Sequence, residues 1–380
     1  MVFNTSGVKR LVLQNFRNYH SLELAVDTRS VALTGPNGAG KTNILESLSF
    51  LSPGKGLRNV GLSDVTYTAS TVDDNQTKSS SWSVFTELSH AGDTIQIGTA
   101  LEPHQGRDRR VVKVNGEFLK KQSDLSSQCR VIWVTPLMDR LFIEGASSRR
   151  KFLDRLVYGH DPLHADYVAR YEKAIKERNR ILEESGDALW LDRVEEEVAN
   201  ASVRITKARQ IFLERLMTMQ STLTPIFPFA EALLSSSVGD KTQSDEEKMS
   251  TLQSLLKQFR GRDKLTGRCS VGAHKEDLCV IFQSKNRAAD QCSTGEQKAL
   301  LLSLILASVK LIATEQDGVP LLLLDEVIAH LDEDRRAQLF EVLFEMNIQI
   351  WMTGTDAEIF AKWREKIQHL FVKNAIVQQL

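Results

Sequence analysis

With 380 residues, 48 Lys+Arg against 49 Asp+Glu and a formal charge of −1, the chain has no bulk field for holding a polyanion, so an anionic partner needs a local basic face. Hydrophobic residues make up 42% and charged residues 26%, which excludes a disordered or fibrous chain and leaves apolar material for about two domain cores. The longest apolar run, Ala299 to Val309, contains Ser303 and Ser308 and falls short of the roughly 20 residues of a membrane span. The first residues carry no continuous apolar signal stretch, so a cytoplasmic protein with no membrane partner is expected. Cys129, Cys269, Cys279 and Cys292 have neither CxxC spacing nor a His at finger-like distance, which predicts reduced thiols.

In chain order, β-rich runs stand at Leu11 to Phe16, Leu22 to Val26, Val31 to Thr34, Val84 to Leu88 and Ile95 to Ala100. One helix follows Lys41, and a hairpin brackets Asn115-Gly116. The polar stretch from Ser70 to Ser81 predicts an exposed loop. From Leu163 to Leu223 the chain reads as long charged helix, divided at Ser185-Gly186-Asp187. Leu191, Val194, Val198, Ala201, Ile205, Ala208 and Phe212 step by 3 and 4 in a heptad seam, and Tyr167, Tyr171, Ala174, Ile175, Ile181 and Leu182 form a complementary stripe. These predict an antiparallel coiled-coil hairpin projecting as an arm; a plain helical subdomain is the alternative. Residues 235–250 predict a surface loop, and from Val271 strands and helices alternate again, which implies a parallel sheet. The expected fold is α/β, a discontinuous head with a mixed sheet built from residues 1–150 and 269–380, with a helical arm at 151–268.

Gly35-Pro36-Asn37-Gly38-Ala39-Gly40-Lys41-Thr42 fits GxxxxGK[ST] between a strand-like run and a helix-like run, the context of a phosphate-binding loop. Lys41 is expected to reach the β- and γ-phosphate oxygens of ATP, and the Thr42 hydroxyl to ligate Mg²⁺. Four leucines ending in Asp325-Glu326 supply a second metal ligand, Asp325, and a carboxylate, Glu326, able to polarise the attacking water. Ser293-Thr294-Gly295-Glu296-Gln297 opens the helix before that strand; by itself Ser293 with Glu296 is a capping box.

This segment, followed by strand-Asp-Glu, resembles the signature motif of the ATP-binding-cassette ATPases. That resemblance implies that it caps the γ-phosphate of a second copy, so that ATP closes a homodimer. Asp332 resembles the loop that lines the dimer seam, and Thr353 and Thr355 stand where the switch residue belongs, without the usual His. Asn15-Phe16-Arg17-Asn18-Tyr19, Ser147 to Asp154 with Arg149 and Arg150, and Gly272 to Asp277 resemble segments of the RecF family across essentially the whole chain. Membership would place Arg17 at the nucleotide. It would also imply an ATP-gated dimer on gapped, single- and double-stranded DNA, working with RecR and RecO to load RecA. Thr294, Lys298 and Lys275 depart from that family's usual residues, and Thr135 is the nearest candidate for the loop that couples metal to arm.

Candidate DNA contacts are Arg107, Arg109, Arg110, Lys113, Arg149 and Arg150, with further basic clusters at Lys120-Lys121 and from Lys257 to Arg268. No base-reading motif is present, so backbone-directed, salt-dependent binding is expected. A chromosome-structure ATPase of the SMC or Rad50 type, a transporter's nucleotide-binding subunit and a small-molecule kinase remain alternatives.

Overall fold

The structure is a computed structural model that describes residues 6–68, 81–104, 107–184, 186–236, 238, 242–315, 318–328 and 331–379. Most of the expected polar loop at 70–81 and part of that at 235–250 lie outside the described residues. The chain divides into two compact units, Met1–Met138 with Val309–Leu380, and Asp139–Ser308. Residues 269–308 thus cluster with the helices, where the sequence grouped them with the head.

The first unit opens with β1 (Gly7–Phe16), β2 (Tyr19–Ala25), β3 (Ser30–Thr34), α1 (Lys41–Ser49), β4 (Ser83–His90), β5 (Asp93–His104), β6 (Arg107–Val114), β7 (Glu117–Phe118) and β8 (Cys129–Val134). The second contains α2 (Ala146–Tyr158), α3 (Pro162–Glu183), α4 (Ala188–Gln220), β9 (Ala230–Ser235), α5 (Asp245–Gln258), α6 (Arg260–Thr266), β10 (Asp277–Phe282) and β11 (Arg287–Ala288). Helix α7 (Thr294–Thr314) leads back to β12 (Val319–Leu324), α8 (Glu333–Glu345), β13 (Gln349–Gly354), β14 (Ile367–Lys373) and β15 (Ile376–Gln379) of the first unit.

The first unit holds two six-stranded sheets, an antiparallel one ordered β2-β1-β4-β5-β6-β7 and one ordered β15-β14-β3-β13-β12-β8. In the latter every pair is parallel except β14 with β15. Strands β3, β8 and β13 are buried at every residue, as parallel strands covered on both faces must be. Strand β1 keeps one face dry, and Leu11, Leu13 and Phe16 pack with Leu33, Phe50, Trp82 and Trp351 in one core fed by both sheets. Phe16 meets Trp82 and Phe50 edge-on at 5.6 and 5.9 Å.

In the second unit, α3 and α4 pair antiparallel: Tyr167 lies by Arg204, Arg178 by Glu195, and Ile181 and Leu182 by Leu191. The heptad seam is largely buried, and the pair is the centre of a helical unit. Leu252 and Leu256 of α5 and Ala273 join Val198, Ala201 and Ile205 in one cluster. Arg209 of α4, buried, forks Asp154 of α2 with two 2.8 Å bonds and reaches Glu276 at 2.6 Å. Burial raises the Asp154 carboxyl, but bonds from His164 and Arg209 outweigh it and hold the group at about 2. Polar residues therefore fill positions beside the seam that an apolar period leaves blank.

Helix α7 is long and apolar enough to cross a membrane by length and composition, but 78% of its apolar window is buried inside the protein. It is a core helix.

Candidate nucleotide site

The loop from Gly35 to Gly40 joins β3 to α1, and its backbone turns left-handed at Gly35, Gly38 and Gly40, with φ of 138°, 79° and 114°. A Cβ on Gly35 would sit 2.1 Å from the Val372 carbonyl oxygen, and one on Gly40 would sit 2.5 Å from the Tyr19 hydroxyl. The neighbours thus demand glycine there as firmly as φ does. Pro36, Asn37 and Gly38 form an exposed lip, while Gly35, Ala39 and Gly40 are buried. The N-terminus of α1 has no side-chain cap and no acid in its first turn. Its amide donors and positive dipole end suit an anion. Lys41, 4% exposed, donates from Nζ to the carbonyls of Gly35 (2.6 Å) and Pro36 (2.9 Å). Burial lowers its affinity for the proton, while Glu326 and then Asp325 pull the other way.

Strand β12 delivers Asp325 beside this loop. Its Oδ1 accepts hydrogen bonds from the hydroxyls of Thr42 (2.8 Å) and Thr353 (2.9 Å). The Thr353 hydroxyl in turn accepts the Glu326 amide at 2.8 Å. Glu326 has φ of +55°, a costly region for a residue with a Cβ and one found where function fixes the backbone. Thr135, buried at the end of β8, follows Val134, whose carbonyl accepts the Asp325 amide at 2.9 Å. Thr355 is exposed beyond β13. Oxygen donors on Thr42 and Asp325, with a lysine alongside, are the donor set that would suit a hard divalent cation.

Arg17 forks Glu46 of α1 at 2.8 and 2.6 Å and donates to the Asp64 carbonyl. Glu46, with a fully buried side chain, also takes Arg58 at 2.7 Å, and Arg58 donates to Asn43 next to Thr42. The sequence reading missed both Glu46 and Arg58. Their approach depends on chain segments 12 residues apart, and neither belongs to a local motif.

Ser293, Thr294 and Gly295 are exposed at the start of α7. The capping box is present: the Glu296 carboxylate accepts the Ser293 amide at 2.8 Å, and the Ser293 hydroxyl accepts the Glu296 amide at 3.3 Å. Hydrogen bonds from Lys285, then from Ser293, hold the Glu296 carboxyl at about 2. Gln297 turns inward to the Cys292 carbonyl. Asp332 caps α8, accepting the Arg335 amide at 2.9 Å.

Among the basic candidates, Arg110 is a correction. It is buried beneath β6, donating to the carbonyls of Phe50, Ser52 and Gly54 and to the Thr99 hydroxyl, and burial pushes its guanidinium down to about 9. It cannot meet DNA. Arg110→Ala strands these carbonyls and should cost about 3 kcal/mol of stability in a thermal melt. The salt dependence of DNA binding by the folded variant should match the parent's; a shallower slope would restore Arg110 as a phosphate contact. Arg149 is tied to Asp277 (2.7 Å), and Arg150 donates to the Glu276 carbonyl (2.7 Å). Arg109 and Lys113 are exposed on the opposite face of β6 from Arg110, Lys113 lying 4.3 Å from the Phe118 ring centre. The Arg107 side chain lies outside the described residues.

Residues 7–378 match the family model of the RecF/RecN/SMC N-terminal domain. The DNA replication and repair protein RecF of Rhizobium rhizogenes is 40% identical over 369 residues, covering 96% of each chain. That of Agrobacterium fabrum is 40% identical over 378 residues, covering 98% of this chain and 99% of its own. Among solved structures, the recombination mediator protein RecF-ATPrS in the RecFOR pathway superposes with a TM-score of 0.85 at 24% identity, covering 100% of this chain and 99% of its own. The Smc head domain from Pyrococcus furiosus, with an extended coiled coil, reaches 0.54 at 15%, covering 99% and 96%.

Proposed function

The chain belongs to the RecF/RecN/SMC N-terminal domain family, and from that premise we propose that it is a RecF-like ATP-dependent DNA-binding protein of recombinational and replication-gap repair. The observation that carries the nucleotide reading is Asp325 Oδ1 held between the hydroxyls of Thr42 and Thr353, beside the lysine of an uncapped glycine loop.

The residues present fit Mg·ATP. The α1 amides and Lys41 would hold the phosphates. Thr42 and Asp325 would hold Mg²⁺, which supplies charge neutralisation between the β- and γ-phosphates. Among the described residues no three His, Cys, Asp or Glu side chains gather into another metal site. Lys41 moves from the Gly35 and Pro36 carbonyls to phosphate oxygens, Thr353 keeps Asp325 and the Glu326 backbone in register, and the Glu326 carboxylate orients the attacking water and takes its proton.

The exposed Ser293-Thr294-Gly295 turn, fixed by its capping box, is the surface on which a second copy's γ-phosphate would seat, so ATP binding closes a homodimer and hydrolysis reopens it. DNA at single-strand gaps is the partner gated by that cycle. RecR, RecO and RecA are the further partners expected of a RecF-like protein, and the cytoplasm its location. The 40% identical relatives favour this over an SMC- or Rad50-type structural ATPase, whose likeness here is one of fold.

Sedimentation with and without Mg·ATP tests the gate. The chain should double in mass only with Mg·ATP. Gly295→Asp, which sets a carboxylate against the incoming phosphate, should stay monomeric while binding ATP normally. A Gly295→Asp variant that dimerises like the parent would remove the signature from the mechanism.

A further inference from the structure

The basic cluster from Lys257 to Arg268 is not one surface. Lys257 and Arg260 are occupied: Lys257 lies 3.2 Å from Asp192, and Arg260 pairs with Asp192 and Glu195. Arg262 faces elsewhere. With Lys275, from the Gly272 to Asp277 segment, it lines a cavity of about 360 Å³ whose other walls are Ser235, Ser236, Ser270 and Phe259. The Arg262 guanidinium stands 5.9 Å from the Phe259 ring centre. Among the described residues that line it, none is acidic.

The carboxylates that hold Ser236 and Ser270 are already paired with arginines. Glu276, which accepts the Ser236 hydroxyl at 2.5 Å, is bound by Arg209 at 2.6 Å. Asp263, which accepts the Ser270 hydroxyl at 2.5 Å, is bound by Arg178 at 2.7 Å. Both carboxylates and Arg178 are fully buried, so the serines are anchored from below while the two exposed cations open outward.

Two cations without an ion pair among the described residues, hydroxyl oxygens and one aromatic ring make a pocket at the lower end of ligand-site volumes. Its chemistry matches a phosphodiester with an unstacked base. A duplex keeps its bases inside the helix, where a ring on a pocket wall cannot stack on them; a single strand can offer phosphate and base face together. We propose that this pocket in the helical unit holds one nucleotide unit of single-stranded DNA, with Arg262 and Lys275 on the phosphate and Phe259 against the base. The inference rests on the reading of the chain as a DNA-binding protein.

The test uses the full chain with fluorescent dT12, a 12-base-pair duplex and inorganic phosphate as competitor, between 50 and 200 mM salt. Arg262→Gln and Lys275→Gln should each weaken dT12 binding and flatten its log–log salt slope, and the two together should flatten it by about 0.7, the value for one single-strand phosphate contact. Phe259→Leu should weaken dT12 about fivefold with the slope unchanged, because stacking releases no counterion. Arg262 and Lys275 are exposed, so their variants should melt with the parent and remain readable if Phe259→Leu misfolds. Parent-like affinity and slope in both charge variants would overturn the proposal while leaving DNA binding intact. Equal losses on the duplex, or competition by phosphate alone at equal concentration, would overturn the single-strand assignment. A parent that dimerises with ATP and binds no DNA would sink this proposal and the DNA reading together, leaving the ATP gate standing.

Discussion

Glu326→Gln binds ATP as tightly as the parent at neutral pH and hydrolyses it about 10³-fold more slowly, within the 10²- to 10⁴-fold range of a lost general base. The amide has the carboxylate's size, so the +55° backbone at this position and its amide bond to Thr353 are retained. Only the proton acceptor is lost. Single-turnover hydrolysis measures the rate, and sedimentation measures the consequence, an ATP-bound dimer that persists where the parent's decays. A second readout follows from Lys41, whose protonation is opposed by burial and favoured by Glu326 and Asp325. Removing one carboxylate lowers the lysine's pKa further, so the alkaline limb of ATP binding moves to lower pH. Hydrolysis at the parent rate would transfer the water-activating role to another group.

Thr353→Val slows hydrolysis by about 10- to 100-fold and leaves ATP affinity within about threefold, while Thr353→Ser restores most of the rate. Valine keeps the buried shape and deletes one hydroxyl that serves two neighbours, Asp325 Oδ1 and the Glu326 amide. A buried amide without a partner costs about 1–3 kcal/mol, which as a barrier is roughly 5- to 150-fold in rate. Part of that cost is relieved if Glu326 leaves its left-handed backbone and takes its carboxylate out of line. ATP affinity should be spared because the proposed phosphate cradle is made by other residues, Gly35 to Thr42. The split between kcat and binding separates positioning from folding. A serine variant as slow as valine would show that the methyl group, and not the hydroxyl, matters.

Residues that act through local spacing were legible. Gly35 to Thr42 had to form a turn between strand and helix, and Asp325 had to end a buried strand, because four consecutive leucines need cover on both faces. Thr353 was legible as a position but not as a contact, since its partners Asp325 and Glu326 lie 28 and 27 residues away. The misplacement of Arg110 had a readable remedy. Alternation along β6 puts Arg110 with buried Val112 and sets Arg109 and Lys113 on the other face. The partners that pack around α4 had no such signal. What packs α4 beyond its apolar seam is Arg209, whose partners Asp154 and Glu276 are 55 and 67 residues distant, and no helical period encodes a buried ion pair.

The place of β3 in its sheet has a consequence for how the molecule comes into being. Val31 pairs on one side with Trp351 and on the other with Gln368. The strand that carries the phosphate loop is therefore synthesised long before either strand that pairs with it. At about 5–20 residues per second, a nascent chain exposes Val31 to Thr34 for roughly 15 to 65 s before a partner strand emerges. Pairing across that separation also makes docking slow, because loop closure must precede any reward from the sheet. An unfinished chain has no sheet to brace its glycine loop, and nucleotide affinity arises only once the strands from both halves of the head have met. ATP binding should thus report a chain synthesised through β13 and β14, and a chain stopped before β13 should not bind nucleotide.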